Sequence, residues 1–152
     1  MISGYNRDID YQNILVRLDI PDYYVGAGCI AQTVWNYLSG FLENKGINDI
    51  DIAYFDSSDL SYESEDRIIK KVRQELLGIP IEPDVKNQAR VHLWYNEYYG
   101  YDIDPYLSLE DAINCWPTTA TSVGVRKDSN NKTQVYARHC SFPIAIMRRF
   151  SG

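Results

Sequence analysis

Apolar positions along the chain switch repeatedly between helical and strand spacing, and the switches outline the elements. Ile14, Leu15 and Leu18 have helical spacing and predict a first helix over about Tyr11 to Leu18. "DYYV", Asp22 to Val25, predicts a short strand running into Gly26-Ala27-Gly28. Ile30, Val34, Leu38 and Phe41 then mark an amphipathic helix, with Gly40 as its stop. A strand is expected over Asp49 to Phe55. The capping-rich stretch Asp56 to Ser61 opens a long helix to about Leu77, with Ile68, Ile69, Val72 and Leu76 as its buried stripe and Gly78 as its end.

Ile79 to Val85 predicts a further strand, and its two prolines, Pro80 and Pro83, favour a sheet edge. "KNQARVHLWYNEYYG" has a helical pattern ending at Gly100, and Ser108 with Asp111 forms a capping-box signal for a short helix to about Cys115. Strands over Thr119 to Arg126 and Thr133 to Tyr136 flank the turn "KDSNNK". Helices and strands mix without strict alternation. That predicts an α+β fold with a small mixed β-sheet flanked by helices. No repeat or linker-like tract interrupts the 152 residues, so a single domain is expected.

Charge narrows the range of partners. A net charge of −6 weighs against long nucleic acid as the main ligand. Cys29, Cys115 and Cys140 include no CxxC pair, and with only His92 and His139 a zinc site of the usual kind is not expected. No apolar run is long enough for a membrane span, and "MISGYNRDID" lacks the apolar core of a signal peptide. A cytoplasmic location with reduced thiols is the simplest expectation.

The candidate chemistry lies in three copies of "DID", at Asp8 and Asp10, Asp49 and Asp51, and Asp102 and Asp104. With 14 aspartates, about one such triplet arises by chance, so context must decide. The first copy reads as helix capping. The third lies in a tyrosine-rich loop without the glycine and glutamate of an EF-hand. In the middle copy, strand periodicity turns Asp49 and Asp51 to one face and Ile50 and Ile52 to the other. Two like charges so close repel unless a cation lies between them, although a solvated strand start would explain them too. Upstream, the Gly26–Gly28 loop opening a helix could bring backbone N–H groups to a phosphate. Neither a Rossmann nor a Walker pattern is met. Phosphate plus paired carboxylates points to Mg²⁺, with two ions as the arrangement for displacement at phosphorus and Mn²⁺ as an alternative.

The segments "YYVGAGCIAQTVWNYLSG", "NDIDIAYFD", "DVKNQARVHLWY" and "WPTTATSVGVR" occur in an order that resembles a bacterial family of small stand-alone nucleotidyltransferases, formerly a domain of unknown function. That family is of the polymerase-β type and is similar to the head domain of CCA-adding enzymes. The resemblance runs from about Tyr11 to Ala137, and the tail from residue 138 departs from the pattern. It implies metal-dependent transfer of a nucleoside monophosphate from an NTP to an unknown acceptor, with Asp49, Asp51 and Asp84 as catalytic, metal-binding carboxylates. The alternative is a non-catalytic nucleotide-binding or interaction module on the same fold.

Gly26 and Gly28 are the expected phosphate cradle. Lys86 and Arg90, read as four apart on one helix face, are either a triphosphate clamp or ordinary surface charges, and Arg126 is a weaker candidate. His92 and the tryptophans at 35, 94 and 116 read first as packing residues, with base stacking as a secondary reading for one tryptophan. Tyr95, Tyr98, Tyr99, Tyr101 and Tyr106 read equally as a cleft lining or a wet amphipathic surface. In the tail, Phe142, Ile144, Ile146, Met147 and Phe150 leave little to cover the sheet, so exposed apolar surface or a homodimer is expected there.

Overall fold

In a computed structural model the described residues are 15–26, 32, 35–41, 46–47, 49–116 and 122–137. The copy of "DID" at Asp8 and Asp10, the loop residue Gly28, Cys29, Cys140 and the tail after residue 137 lie outside them, as do the expectations attached to each.

Five strands form one sheet: β1 (Tyr23–Gly26), β2 (Asp49–Tyr54), β3 (Glu82–Asn87), β4 (Gly124–Lys127) and β5 (Thr133–Tyr136). Their order is β3-β2-β1-β4-β5. β2 and β3 are parallel, and the other pairs are antiparallel. The sheet is therefore small and mixed, as the pattern implied. β3 stands at its edge, where the pyrrolidine of Pro83 costs no central ladder bond.

Each face of the sheet has its own apolar cluster. Tyr23, Val25, Ile50, Ile52, Tyr54 and Val85 pack with Leu15, Ile20, Val72 and Leu76 on one side. Val72 belongs to helix α1 (Tyr62–Glu75), whose amphipathic stripe meets the sheet as its spacing predicts. The Ser61 hydroxyl caps α1 by accepting from the Ser64 N–H at 3.2 Å, and Gly78, at φ +85°, turns the chain out of it.

On the other side Tyr24 and Ala53 pack with Leu109 and Ile113 of the short helix α3 (Leu109–Asn114). Ser108 caps α3, accepting from the Asp111 N–H at 3.0 Å, while the Asp111 carboxylate accepts from the Leu107 N–H at 2.9 Å. This is the reciprocal cap that the sequence signalled, displaced by one residue on the return bond.

The clearest departure from the sequence reading lies between β3 and helix α2 (Val91–Tyr99). Lys86 and Asn87 are not the start of a helix. They continue β3, Gln88–Arg90 make one 3₁₀ turn, and α2 begins only at Val91. The reason is tertiary. Pairing of Lys86 with Ala53 and of Asn87 with Tyr54 extends the ladder on β2. Asn87 is then locked in place: its amide donates to the Asp56 carbonyl at 2.9 Å, and its carbonyl oxygen accepts from the N–H groups of Asp56 and Ala89, each at 3.1 Å. Gly100 ends α2 at φ +79°, as read from the sequence.

Candidate active site

β2 carries Asp49 exposed, Asp51 half-buried and Ala53 buried on one face, with Ile50 and Ile52 buried on the other. β3 repeats the alternation: Glu82, Asp84 and Lys86 are exposed, while Pro83, Val85 and Asn87 are buried. Parallel pairing sets Asp49 beside Glu82, Asp51 beside Asp84 and Ala53 beside Lys86. Directly registered residues share a face, so the strands present rows of acidic groups that end in an amine. Burial rises along β2 because α3 and Trp116 cover the Ala53 end and leave the Asp49 end open.

β1 completes the arrangement, with Gly26 registered against Asp51 on the other side. A side chain at Gly26 is excluded. A Cβ there would lie 2.7 Å from the Trp116 ring and 2.9 Å from the Val123 carbonyl. At Gly26, then, the close approach that glycine permits is made by an indole. Trp116 thereby stands next to Asp51, and with Asp51, Ala53, Asp84, Lys86 and Gln88 it lines an open pocket of about 220 Å³.

The electrostatics follow from this packing. Burial holds the Asp51 carboxyl above its ordinary range, and the neighbouring Asp84 and Asp49 push it further up, with Lys86 partly opposing them. Asp84 turns its Oδ2 to the Lys86 Nζ at 2.7 Å. Among the described residues no three histidine, cysteine, aspartate or glutamate side chains gather into a ready cation cage. Asp84 meets its cation in Lys86, and Asp49 lies one two-residue step, about 6.6 Å, along the strand from Asp51. The donor set still suits Mg²⁺, a hard ion that binds through one or two carboxylates together with substrate phosphates and needs no complete protein cage.

Other candidates are placed elsewhere. Arg90 does not share a helix face with Lys86, because β3 and the 3₁₀ turn separate them. Its guanidinium bonds Glu65, both side chains being 12% exposed, and its Nε donates to the Leu60 carbonyl at 2.8 Å. Arg90 thus ties the chain to α1 and the loop before it. Arg126 lies over the Tyr24 ring, 4.5 Å from its centroid, and pairs with Asp22 and Gln134. Asp102 and Asp104 are exposed, and Asp102 accepts from the Asn96 amide at 2.7 Å. His92 is half-buried, and among the described residues its buried Nδ1 has no hydrogen-bond partner. The tyrosines of α2 form a surface cluster: the Tyr95 and Tyr99 rings are tilted against each other with centroids 4.4 Å apart, and Tyr95 shares a 3.0 Å hydroxyl bond with Tyr101.

Nothing in the local sequence singles out Gln88, and Trp116 reads first as a packing residue. The signal was present but depended on the state of β3. Once Lys86 is strand, Asp84, Lys86 and Gln88 continue one face at period two.

The model of a nucleotidyltransferase family matches residues 13–147. The chain belongs to the nucleotidyltransferase family. The fold agrees with that assignment: it is similar to a structure solved by NMR and described as a CCA-adding enzyme head domain, with a TM-score of 0.69 and 26% sequence identity. The match covers 90% of this chain but 66% of the other, so this nucleotidyltransferase spans slightly less than two thirds of that protein's length. No curated protein matches the chain. No helix among the described residues is long and apolar enough to cross a membrane.

Proposed function

We propose that this nucleotidyltransferase moves a nucleoside monophosphate from an NTP to a hydroxyl or phosphate acceptor, with Asp49, Asp51 and Asp84 at the reacting centre. The observation that carries the reading is the side-by-side register of Asp51 and Asp84 across the parallel pair β2–β3, with Asp49 on the same face. Acidic groups crowded in this way raise the protonation affinity of Asp51 and cost stability. Such a cluster is useful where a bound cation relieves the repulsion.

Asp49, Asp51 and Asp84 would hold the divalent metal, Mg²⁺ or Mn²⁺, which supplies Lewis-acid polarisation and neutralises phosphate charge. The acceptor oxygen attacks the α-phosphorus as the bond to the bridging oxygen breaks, and pyrophosphate leaves with that electron pair. Asp84, on the edge strand and half exposed, is the side chain that takes the acceptor's proton. Lys86, which bonds Asp84, can shift its amine to the phosphate charge once substrate competes for it. Gly28 and the rest of the loop after β1 remain the expected phosphate cradle.

Isothermal calorimetry tests the reading. NTP binding should require divalent metal and weaken at least tenfold in Asp51→Asn, a loss of about 1.4 kcal/mol. Equal affinity in EDTA, or in the variant, would rule out a metal-linked site at these carboxylates.

A further inference from the structure

The pocket continues past the acidic end in a way the phosphoryl chemistry does not use. Gln88 is 7% exposed, yet it lines the pocket. Its main-chain carbonyl accepts from the Val91 N–H, while its side-chain carboxamide has no hydrogen-bond partner among the described residues. A carboxamide withdrawn from bulk water without a partner is costly, and one that faces an open pocket is free to meet a ligand.

Opposite the polar row stands the Trp116 indole, fixed from two sides. The ring is seated where Gly26 has no Cβ, and the residue's main chain is held on both sides: its amide N–H donates to the Ile113 carbonyl at 3.2 Å, and its carbonyl accepts from the Ser122 hydroxyl at 3.3 Å. An aromatic face and a free amide, carrying one acceptor and two donors, together match a flat heterocycle with polar atoms on its edge. Both side chains line the same pocket as Asp51 and Asp84, so a base seated between them would belong to the nucleotide whose phosphates meet the carboxylates.

We propose that Gln88 and Trp116 form a nucleobase subsite, the indole stacking on the base and the Gln88 carboxamide hydrogen-bonding its edge, and that this pair sets the base preference. The inference rests on the nucleotidyl-transfer reading above and deepens it. A site built around a hydrogen bond discriminates against a ligand that cannot return it, because the buried group is then left unpaired.

The test uses the whole chain with the four NTPs and Mg²⁺. Calorimetry should give unequal affinities for the wild type. Gln88→Met keeps size but removes the donors and the acceptor, and should cost about tenfold for the preferred base and bring the four within about twofold of one another. Gln88→Glu, an acceptor only when ionised, should move the ranking toward guanine, which presents adjacent donors. With Trp35→Phe and Trp94→Phe, Trp116 becomes the sole fluorescent tryptophan. Its emission should be quenched by an NTP and left unchanged by inorganic tripolyphosphate, which carries the charge without the base.

Equal affinities in the wild type, an unchanged ranking in Gln88→Met, or equal quenching by tripolyphosphate would each overturn the subsite. If metal-dependent, Asp51-sensitive NTP binding persists in that case, the proposed reaction stands without it. Absence of any metal-dependent NTP binding by the wild type would overturn both.

Discussion

Asp51 is held by opposing demands. Strand alternation turns it to the open face, register sets it beside Asp84, and Trp116 over Gly26 strips part of its hydration. The carboxyl is therefore easier to protonate than a free one, chiefly through burial and then through Asp84 and Asp49. A raised folded-state pKa means that the fold is most favoured while the group is protonated. Its stability contribution is lost as the pH rises from the ordinary carboxylate range through the folded value. At neutral pH without divalent metal, Asp51→Asn should thus stabilise the protein even as it weakens NTP binding. An increase in melting midpoint of about 2 °C is expected, somewhat under 1 kcal/mol for a domain of this size. Thermal denaturation in EDTA measures it, and a lower midpoint in the variant would mean that Asp51 makes a structural bond outweighing the repulsion. The identity and face of this residue were legible in "NDIDIAYFD". Its strained environment was not, because no local pattern says which side chains a neighbouring strand will bring.

At the scale of elements, caps and junctions differ in how far their effects reach. Ser61 satisfies one N–H at the start of α1, so Ser61→Ala should cost about 1 kcal/mol. Asn87 is 1% exposed and joins the end of β3 to the segment after β2, meeting both main-chain groups of Asp56 and the Ala89 N–H. Asn87→Ala should cost about 2–4 kcal/mol, because several buried groups lose partners together. Urea unfolding of the two variants checks the contrast, and an Asn87→Ala cost no greater than that of Ser61→Ala would refute it. The α1 cap could be read from the sequence because capping is local. The Asn87 junction could not. Lys, Asn, Gln, Ala and Arg are all compatible with a helix, and what makes residues 86 and 87 strand is the partner strand, which supplies ladder bonds and a buried place for the amide.

At the scale of the molecule, Tyr24 connects several elements. It lies on β1 at 4% exposure, donates to Glu110 of α3 at 3.2 Å, lies under Arg126 of β4 and faces Tyr136 of β5 with ring centroids 6.2 Å apart. The backbone of Gly124 fits against it only because that residue has no Cβ, which would lie 2.7 Å from the Tyr24 side chain. Burial pushes the phenol from 10.0 up to about 12, with Arg126 opposing and Glu110 reinforcing the shift. Its contribution is fully present below about pH 10 and is lost as the pH rises through about 12. Tyr54, raised in the same direction by burial, adds to the alkaline loss. Ultraviolet titration should show some of the 13 tyrosines ionising only as the fold opens. In Tyr24→Phe the decline in stability across that window should be shallower. An unchanged alkaline decline would assign the whole effect to other groups.

The sequence by itself determined the faces of β2, the stripe and cap of α1, the cap of α3, and the glycine stops at Gly78 and Gly100. Each is a short-range consequence of side-chain periodicity or backbone freedom. Tertiary structure decided which strands are neighbours and in what register, and with that the meeting of Asp51 with Asp84. It also decided the turning of Arg90 toward Glu65, the extension of β3 through Asn87 and the seating of Trp116 over Gly26. The physical reason is that a period of two says which side of a sheet a residue faces but nothing about what stands beside it. In this chain the partners are supplied by segments about 25 to 90 residues away, brought together by burial of the two apolar clusters.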